Sequence, residues 1–212
     1  MAKLTARTQH AMFKQLDTAM MLDFGETGVP MRPEEARLET FEALLKKYEA
    51  DDKAHVAVCV YYLLTLTFCM NPVPNEKIAK LSVRIVSAFR NGAVTLQELP
   101  MDEVALALAW QDLADSHIEL QDRSASAVDD VLSYGRELVA QGLLDKRIEL
   151  RSEIAWDVFC GRFALAQQKI EEFLATPRTE NSDCEGCELN ALIHAYIAMG
   201  NLDKAKACAE EI

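Results

Sequence analysis

Cys184-Glu185-Gly186-Cys187 is the segment of this 212-residue chain whose residue types and spacing carry recognisable chemistry. Two thiols three residues apart can supply half of a tetrahedral zinc site. The remaining ligands would have to come from Asp183, Cys160, His194 or Cys208. His194 lies seven residues beyond Cys187, on the same side of a helix but roughly 10 Å along its axis, too far for one ion to reach both readily. Cys208, on the facing helix, is the better third ligand, so the zinc set is Cys184, Cys187 and Cys208. A second chemistry is redox, because a thiolate at a helix N-terminus is stabilised by the helix dipole. The βαβ pattern that usually carries a redox C-x-x-C is missing here. The third reading, which we prefer, has Asp183 capping the helix while the small thiols pack under the loop, with a reversible disulfide left open.

Nothing else in the chain has catalytic spacing. His10, His55, His117 and His194 are scattered without a Ser or Cys partner, and His117 falls on an apolar stripe, where a core histidine is expected. Trp110 and Trp156 read as packing anchors. Asp129-Asp130 and Glu171-Glu172 are adjacent in sequence, so each pair points to different faces of a helix and reads as solvated surface. There is no Gly-rich phosphate loop, no His-Glu-x-x-His and no Gly-x-Ser-x-Gly. We expect no enzyme and, apart from the zinc alternative, no cofactor.

The elements that must position these residues are helical. Half of the residues are apolar, and only 8 Gly and 6 Pro interrupt a chain rich in Ala, Leu and Glu. A first helix is expected from about Thr5 to Met21, then a loop from Asp23 to Arg32. Pro33 opens a second helix, with Leu38, Phe41, Leu45 and Tyr48 along its apolar side. Val56 to Met70 is too short to span a bilayer and holds Thr65 and Thr67, so it reads as a helix buried on all sides. Asn71-Pro72-Val73-Pro74 stops it. Ile78, Leu81, Ile85 and Phe89 stripe a fourth helix that ends at Asn91-Gly92. Thr95 and Glu98 have capping-box spacing, cut short by Pro100. A fifth helix from about Asp102 carries Leu106, Trp110, Leu113, His117 and Leu120. A sixth, from about Ser124, carries Val128, Val131, Leu132, Leu138 and Val139.

From about Asp145 one hairpin pattern occurs twice. Gly161 is followed five residues later by Ala166 and twelve later by Phe173; Gly200 is followed at the same offsets by Ala205 and Ile212. Small residues at these offsets let two antiparallel helices turn tightly and touch closely, as in helical-repeat proteins. The fold expected is all-α, an α-α superhelix of antiparallel hairpins. It has an N-terminal helical layer over 1–94 and hairpins over 95–212, together one continuous domain. Ile212 falls inside the last helical pattern, where a solenoid would normally present a polar capping helix. We therefore expect further chain, or another molecule, against that face, including self-association through the exposed last hairpin.

Leu192, Tyr196, Gly200 and Ala205 stand at tetratricopeptide spacing, and Thr176-Pro177-Arg178 precedes Asp183-Cys184-Glu185-Gly186-Cys187. On these residues the chain resembles bacterial tetratricopeptide-like (TPR-like) proteins of poorly defined function, which carry an Asp-Cys-x-x-Cys segment between hairpins. The resemblance runs from about Thr95 to Ile212 and implies binding through a concave surface.

The formal charge of −12 disfavours nucleic acid and anionic membrane surfaces and would draw a basic partner. Met1 to His10 has no apolar leader segment, and six Cys, four of them outside any close pair, suit a reducing compartment, so a cytoplasmic location is expected. The function expected is a non-catalytic scaffold for a protein or peptide, one form being a toxin-neutralising, immunity-like protein. The alternative is a thiol- or zinc-responsive module working through Cys184 and Cys187.

Overall fold

A computed structural model describes residues 35–69, 74–120 and 125–211. The expected first helix, the loop at Asp23 to Arg32, Pro33, the Asn71-Pro72-Val73 stop, Ser124 and Ile212 lie outside the described residues. Those described form α-helices joined by short turns, with one 3₁₀ turn and no strand. The fold class is all-α. No helix among them is long and apolar enough to cross a membrane. The chain divides into two compact units after Leu113.

The first unit contains α1 (Glu35–Lys47), α2 (Asp52–Cys69), α3 (Asn75–Arg90), a 3₁₀ turn (Leu96–Glu98) and the start of α4 (Asp102–Glu119). α2 is its centre. Ala54, Val56 to Val60 and Tyr62 to Leu66 are buried, around most of the helix circumference, against α1 and α3. Both threonines of this greasy helix satisfy their hydroxyls. Thr65 donates to the Tyr61 carbonyl at 2.9 Å and Thr67 to Asp112 Oδ2 at 3.0 Å, as burial of a hydroxyl requires. Phe41 of α1 stacks on Tyr62 with ring centroids 4.9 Å apart. On α1, Phe41 and Leu44 are buried whereas Leu38, Leu45 and Tyr48 are half-buried, so the apolar face is rotated slightly from the expected stripe. The Thr95 amide donates to Glu98 Oε2 at 2.9 Å, the expected capping contact.

The second unit contains the end of α4, then α5 (Ala125–Ala140), α6 (Lys146–Phe159), α7 (Phe163–Ala175), α8 (Glu185–Ala198) and α9 (Leu202–Glu210). Leu120, expected on a buried stripe, is instead 44% exposed just past the end of α4. Helices α6 and α7 form one hairpin and α8 and α9 another, while α6 packs against both α5 and α8. The repeated pattern turns the same way twice. Gly161 and Gly200 have φ of +71° and +75°, and their amides reach back to Val158 and Ile197 at 2.9 Å. The next amides, of Arg162 and Asn201, reach the Asp157 and Tyr196 carbonyls at 2.8 Å. This is the Schellman arrangement, whose left-handed residue favours glycine. Ala166 and Ala205 are buried at the helix contacts. Leu150, Ile154, Ile170, Phe173, Leu192 and Tyr196 make one core across both hairpins. Trp110 and Trp156 are buried, as packing anchors should be.

Candidate functional site

The dithiol segment opens α8, and the loop before it is held by side chains of α6. Asp145 caps α6, its Oδ1 accepting the Arg147 amide at 2.7 Å. Its Oδ2 accepts the hydroxyls of Thr179 at 2.6 Å and Ser182 at 3.1 Å, which ties the loop to the start of α6. Arg147 lies flat against Glu188, with Nε to Oε1 at 2.9 Å and Nη2 to Oε2 at 2.8 Å. The same guanidinium donates to the Phe173 carbonyl at 2.8 Å and to the Thr176 carbonyl, and it stacks 4.0 Å from the Phe173 ring centre. Five rigid donors allow one arginine to join three elements in this way. Arg178 adds a second cation on Glu188 and donates to the Asp183 carbonyl.

Asp183 does not cap α8. Its carboxylate pairs with Arg151 of α6, and Cys184 occupies the cap position instead. With φ −61° and ψ 146°, Cys184 is extended, and its Sγ accepts the Cys187 amide at 3.2 Å. The two sulfurs stand 2.7 Å apart, both side chains reach solvent, and both thiols are free. The contact splits their acidities. The side-chain contact with Cys187, together with the Cys187 amide, holds Cys184 below the ordinary thiol value. The same contact, reinforced by partial burial, pushes Cys187 above it. Thiolate character therefore belongs to the more exposed, helix-capping sulfur.

Cys208 is elsewhere. It is partly buried against the core shared by α6 to α9, and burial raises its thiol. His194 and Cys160 are exposed, and no group of three or more His, Cys, Asp or Glu among the described residues could hold a metal ion. The expected Cys184, Cys187 and Cys208 zinc set is thus not assembled among the described residues: Cys208 is half-buried against the hairpin core instead. Of the histidines, His117 is half-buried, and His55 places Nδ1 3.2 Å from the Leu45 carbonyl.

A second polar feature was missed in the sequence patterns. Glu149, Glu153 and Asp157 recur every four residues on α6 and are all buried. Glu149 meets Lys146 at 2.7 Å; Glu153 meets Lys169 at 2.8 Å and also Arg136; Asp157 meets Arg162 at 2.7 Å and Lys169 at 2.8 Å. Burial raises the Glu149 carboxyl, whereas Lys169 and Arg136 outweigh burial and hold Glu153 low. The four-residue spacing was the available signal, but a charged stripe ordinarily reads as a solvated face.

The chain matches no protein-family model, no curated protein and no solved structure at significant similarity.

Proposed function

We propose that this chain is a non-catalytic helical-repeat scaffold that binds a protein or peptide in the cytoplasm. The observation that carries the reading is the exposed apolar character of the paired hairpins. Phe163, Leu165 and Leu174 of α7, Ile197 of α8 and Leu202 of α9 are between 44% and 65% exposed. Single exposed apolar residues are ordinary, but five within two adjacent hairpins suit a surface that another molecule covers. A charge of −12 favours a basic partner by speeding encounter and opposing like-charged competitors. Holding a basic toxin inactive is one form such binding takes.

The test is site-specific photocross-linking from positions 174, 197 and 202 in the native cell, followed by affinity measurement with the partner recovered. Ile197→Asp with Leu202→Asp should weaken that partner by about tenfold or more, and added salt should weaken it further. Equal affinity for wild type and the double variant, or no cross-linked partner from any of the three positions, would sink the reading.

A further inference from the structure

We infer that Cys184 and Cys187 form a reversible dithiol–disulfide couple that exchanges with low-molecular-weight disulfides, with Cys184 the attacking and Cys187 the resolving thiol. This site is independent of partner binding and stands or falls separately from the scaffold reading.

Three geometric facts carry it. The sulfurs are already 2.7 Å apart, so closing to a disulfide of about 2.05 Å needs only a small side-chain movement. Both thiols are exposed, so an incoming disulfide meets no barrier of packed side chains. The backbone at the pair is held from both sides: Arg178 grips the Asp183 carbonyl, Arg151 the Asp183 carboxylate, and the first turn of α8 fixes Cys187. A pair anchored in this way keeps its sulfurs facing one another in either redox state. The position of Cys184 assigns the order of attack: its Sγ caps α8 and accepts the Cys187 amide at 3.2 Å, so the helix N-terminus stabilises a thiolate there, and the thiolate is the nucleophile. Of the charged groups that act on the pair, Asp183 disfavours a thiolate at both sulfurs and Arg151 opposes that effect at Cys187.

The chemistry balances without a cofactor. The Cys184 thiolate attacks one sulfur of R–S–S–R, the S–S bond breaks, and RS⁻ leaves and takes a proton from water. Cys187 then loses its proton to solvent and attacks Cys184 Sγ in the mixed disulfide. The Cys184–Cys187 bond forms and the second RS⁻ departs. The protein dithiol loses two electrons and two protons, and the small disulfide becomes two thiols.

The test uses the full reduced chain in buffers of glutathione and glutathione disulfide, quenched with acid and read by peptide mass. Cys160, also exposed and free but not part of a C-x-x-C pair, is the internal control. Wild type should lose two hydrogens on the peptide carrying Cys184 and Cys187, while Cys160 gains only a glutathione adduct. Cys187→Ser should trap a stable mixed disulfide on Cys184. Cys184→Ser, whose hydroxyl still caps the helix, should leave Cys187 reacting about tenfold or more slowly than Cys184 does in Cys187→Ser. The inference is overturned if wild type accumulates a glutathione adduct at Cys184 without closing the internal bond. It is equally overturned if the pair stays reduced while Cys160 is modified, or if the two single variants react at equal rates.

Discussion

Replacing Arg147 by methionine keeps an unbranched side chain at the position but removes the guanidinium that joins α6, the end of α7 and the start of α8, together with its stacking on the Phe173 ring. The lost interactions are the two-point contact with Glu188 at 2.9 and 2.8 Å, and the donations to the Phe173 and Thr176 carbonyls. The side chains of Arg147 and Glu188 are 9% and 5% exposed, so solvent screens the pair little. Breaking a buried ion pair from one side costs about 3–5 kcal/mol, chiefly because the other charge is stranded. Arg178 remains on Glu188, which places the expected loss near about 3 kcal/mol at the lower end of that range. In a chain of 212 residues this lowers the melting temperature by about 6–12 °C. Urea unfolding followed by circular dichroism measures it directly. Arg178→Met is the matched control: the same chemistry on the same carboxylate, but 38% exposed, and it should cost about 0–1 kcal/mol. Arg147→Met combined with Glu188→Leu should recover part of the loss, since no buried charge is then stranded. An Arg147→Met protein within about 1 kcal/mol of wild type, or a double variant no more stable than the single one, would refute the claim that this arginine holds the loop.

Three further outcomes are expected. Burial raises the Glu149 carboxyl above its ordinary 4.5, so its ionised form weakens the fold at neutral pH and the weakening fades as pH falls towards 4.5; Glu149→Gln should therefore melt higher than wild type at neutral pH, with the difference shrinking in acid scans. The Cys59 thiol is buried and pushed up to about 12, so it should resist alkylation at mildly alkaline pH until denaturant is added, while Cys160 reacts at once, as counted by mass. Gly200→Ala meets no neighbouring atom but keeps a φ of +75°, so denaturant unfolding should show a loss of about 1–2 kcal/mol from backbone strain alone.

Much of the helical framework was legible because it is local. The Gly161 and Gly200 turns, the Asn91-Gly92 helix end and the Thr95–Glu98 contact each depend on residues a few positions apart, and each stands where its sequence signal lies. The burial of Val56 to Val60 and Tyr62 to Leu66 followed from an apolar run with no polar face to turn outwards. At the site, the adjacency of Cys184 and Cys187 was legible for the same reason. The identity of the cap was not. Asp183 is the better capping residue by type, but Arg151, 32 positions earlier, claims its carboxylate and leaves the cap to a sulfur.

The period of the helices, the places where they turn, and the closeness of two thiols on one helical turn were all set locally, by backbone geometry within a few residues. Which charges are interior depended instead on how the helices pack. Arg147 and Glu188 are 41 positions apart and meet because two hairpins share a core, while Cys208 packs half-buried against that core and does not join the pair in a metal-holding group. Coulomb attraction and desolvation act through space, and which groups stand side by side in space is settled only when the helices pack.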